Sequence, residues 1–336
     1  MEDAVLKVSN LKTKFDTRQG TVEAVSDVSF DIKPEETVAL VGESGSGKSV
    51  TALSIMHLLE STGSIAGGEI MFDGRDITHR PEREMRAIRG AEISMIFQDP
   101  ATCLDPVFTV ENQLREVMEI HGTDTGTARA RALELLELVG MPDPKKRLRS
   151  YQHQLSGGQR QRVMIALALA LRPKLVIADE PTTALDVTVQ AQILDLLRTL
   201  QNETGAAILF VTHDLGVVAE MADRVVVMYG GQVVEQGTVR DVINDPRHPY
   251  TQALLNSMPG KVAALGERLE AIEGTVPSLF DMPTGCRFGP RCSRAWDRCH
   301  AEEPPLYQVT PVRSSRCWVA DPEAETPSGQ APGAVS

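Results

Sequence analysis

Apolar residues recur in two rhythms along this chain. In the opening third they form short alternating or continuous runs, Val5–Val8, Ala24–Phe30 and Glu69–Phe72, which predict strands. Pro34-Glu35 and Asp73-Gly74 supply turns there. Val38–Val41 is wholly apolar, the pattern of a strand buried on both faces, and a Gly/Ser-rich stretch joins it to a predicted helix over Ser49–Leu59. From about Pro100 the spacing turns helical. Val110–Ile120 and Ala128–Val139 predict helices, the second stopped at Gly140 with Pro142 just beyond. A helix over Gln159–Leu171 is ended by Pro173, and strands are predicted at Leu175–Ala178, Ala207–Val211 and Arg224–Tyr229, the last two separated by a helix around Leu215–Met221. Strands alternating with helices predict an α/β fold whose parallel sheet is covered on both faces, with residues of about 100–158 forming a separate helical lobe. Past Asp245 the composition shifts to proline, arginine and cysteine, and the Pro/Ala/Gly/Ser/Glu-rich stretch of 321–336 predicts a disordered tail. No internal repeat is visible.

Composition narrows the class. A chain of 336 residues, 42% of them hydrophobic, can bury a large core and is expected to hold one elaborated domain plus an extra module. The formal charge of −12 leaves no broad basic field for phosphates, so no nucleic-acid partner is expected. Met1–Asn10 lacks the basic-then-apolar pattern of an export signal. The longest apolar run, Val163–Leu171, is about half of the ~20 residues that a membrane-spanning helix needs. The five cysteines, with no export signal, predict thiols or metal or cluster ligands rather than a disulfide framework.

Three motifs carry chemistry. Gly42-Glu43-Ser44-Gly45-Ser46-Gly47-Lys48-Ser49 fits G-x-x-x-x-G-K-[ST] in the strand–loop–helix setting that this motif requires. Its backbone N–H groups can turn towards phosphate oxygens, Lys48 is placed for the β- and γ-phosphates, and the Ser49 hydroxyl for Mg²⁺. Leu175–Glu180 is an apolar strand ending in two carboxylates: Asp179 suits an outer Mg²⁺ contact, and Glu180 can polarise a water in line with the γ-phosphate. Ser156-Gly157-Gly158-Gln159 opens a helix with a serine cap and free N–H groups, a second anion site that predicts service to the ATP of a partner subunit.

Taken together, this set resembles the ATP-binding subunit of an ATP-binding-cassette transporter over about residues 4 to 245. The resemblance implies the phosphate-loop cassette fold, in which a RecA-like parallel-sheet core carries an antiparallel β subdomain and a helical lobe. It also implies roles for further residues. Gln98, in Phe97-Gln98-Asp99-Pro100, matches the glutamine loop that touches Mg²⁺ and relays nucleotide state to the membrane subunit. Thr183-Ala184-Leu185-Asp186 matches the loop that communicates across the dimer, His213 the switch histidine on the γ-phosphate, and Phe15 the aromatic stacked on adenine. Asp245–Leu255, containing His248-Pro249-Tyr250, resembles the C-terminal extension of oligopeptide and dipeptide importer ATPases, to about Trp318.

In that extension Cys286, Cys292, Cys299 and Cys317 follow with gaps of five, six and seventeen residues. Four thiolates in a loop-rich segment suggest either a tetrahedral Zn²⁺ site or a [4Fe–4S] cluster, and the spacing lacks the C-x₂-C knuckles of zinc ribbons. Six arginines, Arg287, Arg291, Arg294, Arg298, Arg313 and Arg316, lie among them, a local positive excess suited to a net-negative centre of either kind. The resemblance to importer ATPases favours the cluster. Cys103 is expected to be a small packed residue.

The expected organisation is a cassette over 1–245, an extension over 246–320 and the tail. The expected function is that of an ATPase powering di- or oligopeptide uptake from the cytoplasmic face of the inner membrane, as a peripheral subunit. Two transmembrane permease subunits, a second ATP-binding subunit and an extracytoplasmic peptide-binding protein are the partners this implies. Nickel, glutathione or oligosaccharide importers use related ATPases. A soluble cassette ATPase of DNA repair or translation is disfavoured, because Lys48 to Ser156 is too short for coiled coils and only one cassette is present.

Overall fold

The computed structural model describes residues 4–183, 186–257 and 272–321. Its strands are β1 (Leu6–Thr17), β2 (Gly20–Ile32), β3 (Thr37–Val41), β4 (Gly63–Phe72), β5 (Arg75–Asp76), β6 (Ile93–Ile96), β7 (Leu175–Asp179), β8 (Ala207–Thr212), β9 (Arg224–Tyr229), β10 (Gln232–Thr238), β11 (Tyr307–Thr310) and β12 (Arg313–Ser315). The first helices are α1 (Lys48–Ile55), α2 (Glu82–Ile88), α3 (Pro100–Cys103), α4 (Val110–Ile120), α5 (Thr125–Leu138) and α6 (Pro144–Arg147). They are followed by α7 (Gly157–Ala168), α8 (Val187–Thr204), α9 (Leu215–Met221), α10 (Val239–Asn244), α11 (Pro249–Asn256) and α12 (Asp297–Ala301).

Two sheets organise these elements. The smaller, ordered β2-β1-β4-β5, is antiparallel throughout. The larger is ordered β11-β12-β10-β9-β3-β8-β7-β6; its β9-β3-β8-β7-β6 portion is parallel, and β10, β12 and β11 extend it antiparallel. This is the expected α/β architecture of a parallel-sheet core, an antiparallel β sheet and helices 100–158.

The sheets share a core because strand side chains alternate. Val38 and Leu40 of β3 pack with Leu6, Val25 and Ile70 of the antiparallel sheet, whereas Ala39 and Val41 face the opposite side, against Val225, Val227, Tyr229, Tyr250 and Phe288. Another cluster joins Val176, Ala178, Ile208 and Phe210 of the sheet to Leu114, Leu135, Val163 and Ile193 of α4, α5, α7 and α8.

The strand expected at Val5–Val8 runs on to Thr17. Leu6 and Val8 point inward, and so do Leu11 and Thr13; the three-residue step from Val8 to Leu11 breaks the period of two. A bulge absorbs it, with Asn10 at φ 50° and a register shift on both neighbouring strands. The helix expected to reach Leu59 stops at Ile55, followed by His57 at φ 51°. Cys103 is exposed rather than packed, because Leu104 takes the inward position (2% accessible).

The extension is built onto the cassette. Its β12 pairs with β10, and the fully buried Tyr250 of α11 packs at a tilt against Tyr229 and Phe288, with ring centroids 4.7 and 5.4 Å apart. Four of its six arginines turn towards cassette groups instead of surrounding the cysteines: Arg313 towards Glu235, Arg316 towards Asp27, Arg291 towards Glu43 and Arg287 towards the Gly230 carbonyl. Arg298 lies 3.6 Å over the Trp318 ring. Of the six, Arg294 lines the cysteine cavity. The tail expected over 321–336 lies outside the described residues from 322 onward.

Candidate active site and cysteine pocket

The buried strand β3 leads into the 42–49 loop, and α1 begins at Lys48. Two glycines make the turn possible. Gly42 has φ 155° and a Cβ there would sit 2.2 Å from the Met228 carbonyl oxygen, while Gly47, at φ 99°, would bring one to 2.9 Å from that of Ala24. At Gly45 a Cβ would meet nothing within 4 Å among the described residues, so they leave the loop's crest open. Ser46 Oγ is buried, with no hydrogen-bond partner among the described residues. Lys48 Nζ donates to the carbonyls of Gly42 (2.8 Å) and Glu43 (3.1 Å), folded over its own loop. Burial pulls the Lys48 ammonium below its ordinary pKa, against the opposing pull of Glu180, Asp179 and Glu43.

The parallel register of β3, β8 and β7 brings the other predicted groups to the same edge. Ser49 Oγ donates to Asp179 Oδ1 (3.1 Å) at the end of β7. Burial raises the Asp179 pKa, which the Ser49 bond partly offsets. Glu180, at φ 45°, receives Gln98 Nε2 (3.0 Å) and Thr183 Oγ1 (2.9 Å) on Oε2, and His213 Nδ1 lies 3.2 Å from its Oε1. Burial would push Glu180 upward, but the bonds with Thr183 and His213 and the positive charge of Lys48 prevail and leave it below the usual glutamate value. Hydroxyl, carboxylate and amide oxygens at one spot are the hard donor set that Mg²⁺ takes, and the open loop with its orphaned Ser46 hydroxyl suits phosphate.

Other predicted residues stand apart from this group. Ser156 caps α7 in a reciprocal capping box with Gln159: Gln159 N–H donates to Ser156 Oγ (3.3 Å), and Ser156 N–H to Gln159 Oε1 (3.2 Å). Ser156 and Gly157 are exposed, and the Gly158 Cα lies so close to Val189 of α8 that a Cβ would come within 2.9 Å of it. Asp186 caps α8 by accepting from Val189 N–H (2.9 Å); Ala184 and Leu185 lie outside the described residues. Phe15 is half-buried on β1, its ring over Gly63. The sequence motifs assign no individual role to Thr183, whose hydroxyl holds Glu180, nor to Tyr250 and Arg291, which hold Glu43. A hydroxyl three residues after the strand-end glutamate was the readable signal for the first; nothing in the sequence ties the other two to the loop.

Cys286, Cys292, Cys299 and Cys317 line one cavity, together with His248, Phe288, Trp296 and Trp318. Its volume is about 20 Å³. Burial pushes the thiols of Cys286 and Cys317 up to about 11 and about 12, and raises that of Cys292. Without a ligand these thiols are therefore protonated at neutral pH. Four soft sulfur donors around one apolar-walled cavity fit a thiolate-bound group. Among the described residues, however, no three His, Cys, Asp or Glu side chains already stand as a single-ion site. Cys103 is not part of the cavity's lining.

Fold and site define a phosphate-loop cassette ATPase, and comparison with known proteins agrees. Residues 25–183 match the ABC transporter family, and residues 234–299 the oligopeptide/dipeptide transporter C-terminal region. The chain is 52% identical over 325 residues to the putative peptide import ATP-binding protein BMEII0863 of Brucella melitensis, covering 93% of this chain and 96% of that protein. It is 49% identical over 326 residues to the dipeptide transport ATP-binding protein DppD of Escherichia coli K12, covering 97% and 99%. The dimeric post-hydrolysis structure of the ATP-binding cassette MJ0796 with ADP and Pi superposes with a TM-score of 0.63 at 30% identity, over 70% of this chain and 99% of that one. The chain belongs to the ATP-binding subunits of ATP-binding-cassette transporters, in the branch that carries the oligopeptide/dipeptide C-terminal region. It is an ATPase coupled to transport. Subunits of this kind work with membrane permeases, and among the described residues no helix is long and apolar enough to cross a membrane.

Proposed function

We propose that this chain powers the uptake of di- and oligopeptides, as a peripheral subunit on the cytoplasmic face of the inner membrane. Two transmembrane permease subunits, a second and distinct ATP-binding subunit, and an extracytoplasmic peptide-binding protein complete the importer. The observation that carries the ATPase part is the Glu180 carboxylate, gripped by Gln98, Thr183 and His213 beside the Ser49–Asp179 pair. The peptide cargo is supported by the C-terminal region and by the relatives' names.

In this reading residues 42–49 cradle the phosphates and Lys48 leaves its loop carbonyls for the β- and γ-phosphate oxygens. Phe15 stacks on adenine. Ser49, Asp179 and Gln98 are the residues that would hold Mg²⁺, which would supply positive charge beside the phosphates. Glu180 polarises the water that attacks the γ-phosphorus; the bond to the β-phosphate oxygen breaks and ADP leaves with phosphate. His213 steadies the γ-phosphate. Ser156, Gly157, Gly158 and Gln159 present the exposed start of α7 to the partner's ATP, and Asp186 lies on the communicating loop. Closing two subunits over two ATPs drives the helical lobe, and hydrolysis lets them reopen. The exposed apolar Val107, Phe108 and Ile120 of that lobe give a permease loop something to grip.

We also assign the cysteine pocket to a [4Fe–4S] cluster held by Cys286, Cys292, Cys299 and Cys317, with Zn²⁺ as the alternative. Its contribution is structural: it ties together a segment with few strands and helices. The protein, tagged and purified anaerobically from gently solubilised membranes, should bring down two multi-span permeases and a second ATPase and carry about four irons per chain. Recovery with only ribosomal or repair proteins would refute the importer, and one zinc per chain would refute the cluster.

A further inference from the structure

The second residue of the phosphate loop is held at both ends by groups from beyond Asp245. The Glu43 carboxylate takes a two-pronged bond from Arg291, whose Nη1 and Nη2 stand 2.7 and 3.1 Å from its oxygens. Glu43 N–H donates to Tyr250 Oη (2.8 Å), and Glu43 O receives Lys48 Nζ (3.1 Å). Arg291 is itself fixed: its side chain is only 5% accessible, Nε donates to the Glu273 carbonyl (2.9 Å), and Nη1 donates to Tyr229 Oη (3.3 Å). A second line reaches the loop nearby. Arg287 donates to the Gly230 carbonyl, and the next residue, Gly231, donates its N–H to Ser46 O (2.9 Å). Both arginines sit next to a cysteine of the pocket, Arg287 after Cys286 and Arg291 before Cys292.

A carboxylate in a loop that receives polyphosphate is an electrostatic liability. An unpaired Glu43 would repel the ATP phosphates in a site partly shielded from water. Arg291 cancels that charge and turns the carboxylate outward to the extension, while Tyr250 fixes the orientation of the Gly42–Glu43 peptide, whose carbonyl, that of Gly42, accepts from Lys48 Nζ (2.8 Å).

We propose that Arg291 and Tyr250 are positioning residues for ATP binding: the C-terminal extension braces the phosphate loop through Glu43 and masks its negative charge. This inference rests on the reading of residues 42–49 as the ATP cradle.

The test is the dissociation constant of a fluorescent ATP analogue, read with KM and kcat, on the full chain within its complex. Arg291→Ala should weaken nucleotide binding about tenfold, through Kd and KM, with kcat at saturation within about twofold of the original. Tyr250→Phe, which keeps the ring packing, should weaken it about threefold. Adding Glu43→Gln to Arg291→Ala should restore most of the affinity, because the unmasked charge is gone. A merely structural arginine would give the opposite pattern: lower melting temperature, unchanged Kd of the folded protein, and no rescue by Glu43→Gln. That pattern, or an unchanged Kd in both single variants, overturns the brace. Lys48→Ala serves as the control on the underlying reading. If it loses nucleotide while the Arg291 and Tyr250 variants bind normally, only the brace fails; if it binds normally, the cradle assignment fails.

Discussion

Glu180→Gln should lower ATP turnover by about 10²–10³-fold while leaving nucleotide binding intact. The substitution keeps the shape of the side chain, and its amide oxygen can still accept from Gln98 or Thr183, so the edge of β7 need not rearrange. What it removes is the anion that the surroundings of Glu180 hold below the usual glutamate pKa. The proposed role needs a group held ionised at neutral pH, and Glu180 lies one residue beyond the carboxylate that pairs with Ser49. With hydrolysis blocked and binding kept, ATP should hold two subunits closed, visible as a dimer by size-exclusion chromatography only when ATP is present. Lys48→Ala should separate the two steps from the other side, losing both affinity and dimer. Turnover within tenfold of the original enzyme in Glu180→Gln would remove Glu180 from its assigned role.

The largest expected loss of stability follows from a buried charge. Glu235 has no accessible surface, and Arg313 is 5% exposed. Glu235 Oε1 accepts from Arg313 Nη2 (3.0 Å) and from Arg247 N–H (2.8 Å), and Oε2 accepts from His248 N–H (2.9 Å). Arg313 also reaches Asp245, so one guanidinium joins β10, β12 and the start of the extension. Arg313→Ala leaves the carboxylate buried with only backbone donors, which costs about 3–5 kcal/mol in comparable pairs. Urea unfolding should show a loss of that size, most of it recovered by combining Glu235→Gln with Arg313→Met, which removes the stranded charge and refills the volume. A loss below about 1 kcal/mol would mean that the two backbone N–H groups satisfy Glu235 unaided.

The parts legible in the sequence were those written in apolar periodicity or in chemistry needing particular residues at fixed spacing. Val38–Val41 announced a strand buried on both faces, and β3 is one; Val110–Ile120 announced a helix, and α4 has those bounds. The groups of the phosphate-loop edge could be listed because each motif ends a strand or starts a helix, and the parallel register then brings Ser49, Asp179, Glu180 and His213 together. The 18-residue helix α8 went unread although Ile193, Leu194, Leu197 and Leu200 form its buried stripe, because many polar residues dilute the signal. β10 gives a weaker signal still: its buried apolar run is only Val233 and Val234, and beside them it buries Gln232 and Glu235, whose partners lie far along the chain. The arginines show the same limit. Their local excess near four cysteines pointed to a negative centre, yet Arg291, Arg313 and Arg316 find carboxylates that lie 248, 78 and 289 positions away in the chain. Charge composition reports how many partners are needed, and only the fold reports where they are.

If ATP hydrolysis at this site drives peptides across a membrane, the reconstituted importer will take them up. The purified complex, placed in vesicles with ATP on the side of this subunit and a labelled dipeptide plus the binding protein on the other, should accumulate peptide against its gradient. Uptake should cease when this chain carries Glu180→Gln. Peptide accumulation that continues at the original rate with that variant, or a complex that hydrolyses ATP while moving nickel or an oligosaccharide but no peptide, would rule out this chain as the motor of peptide uptake.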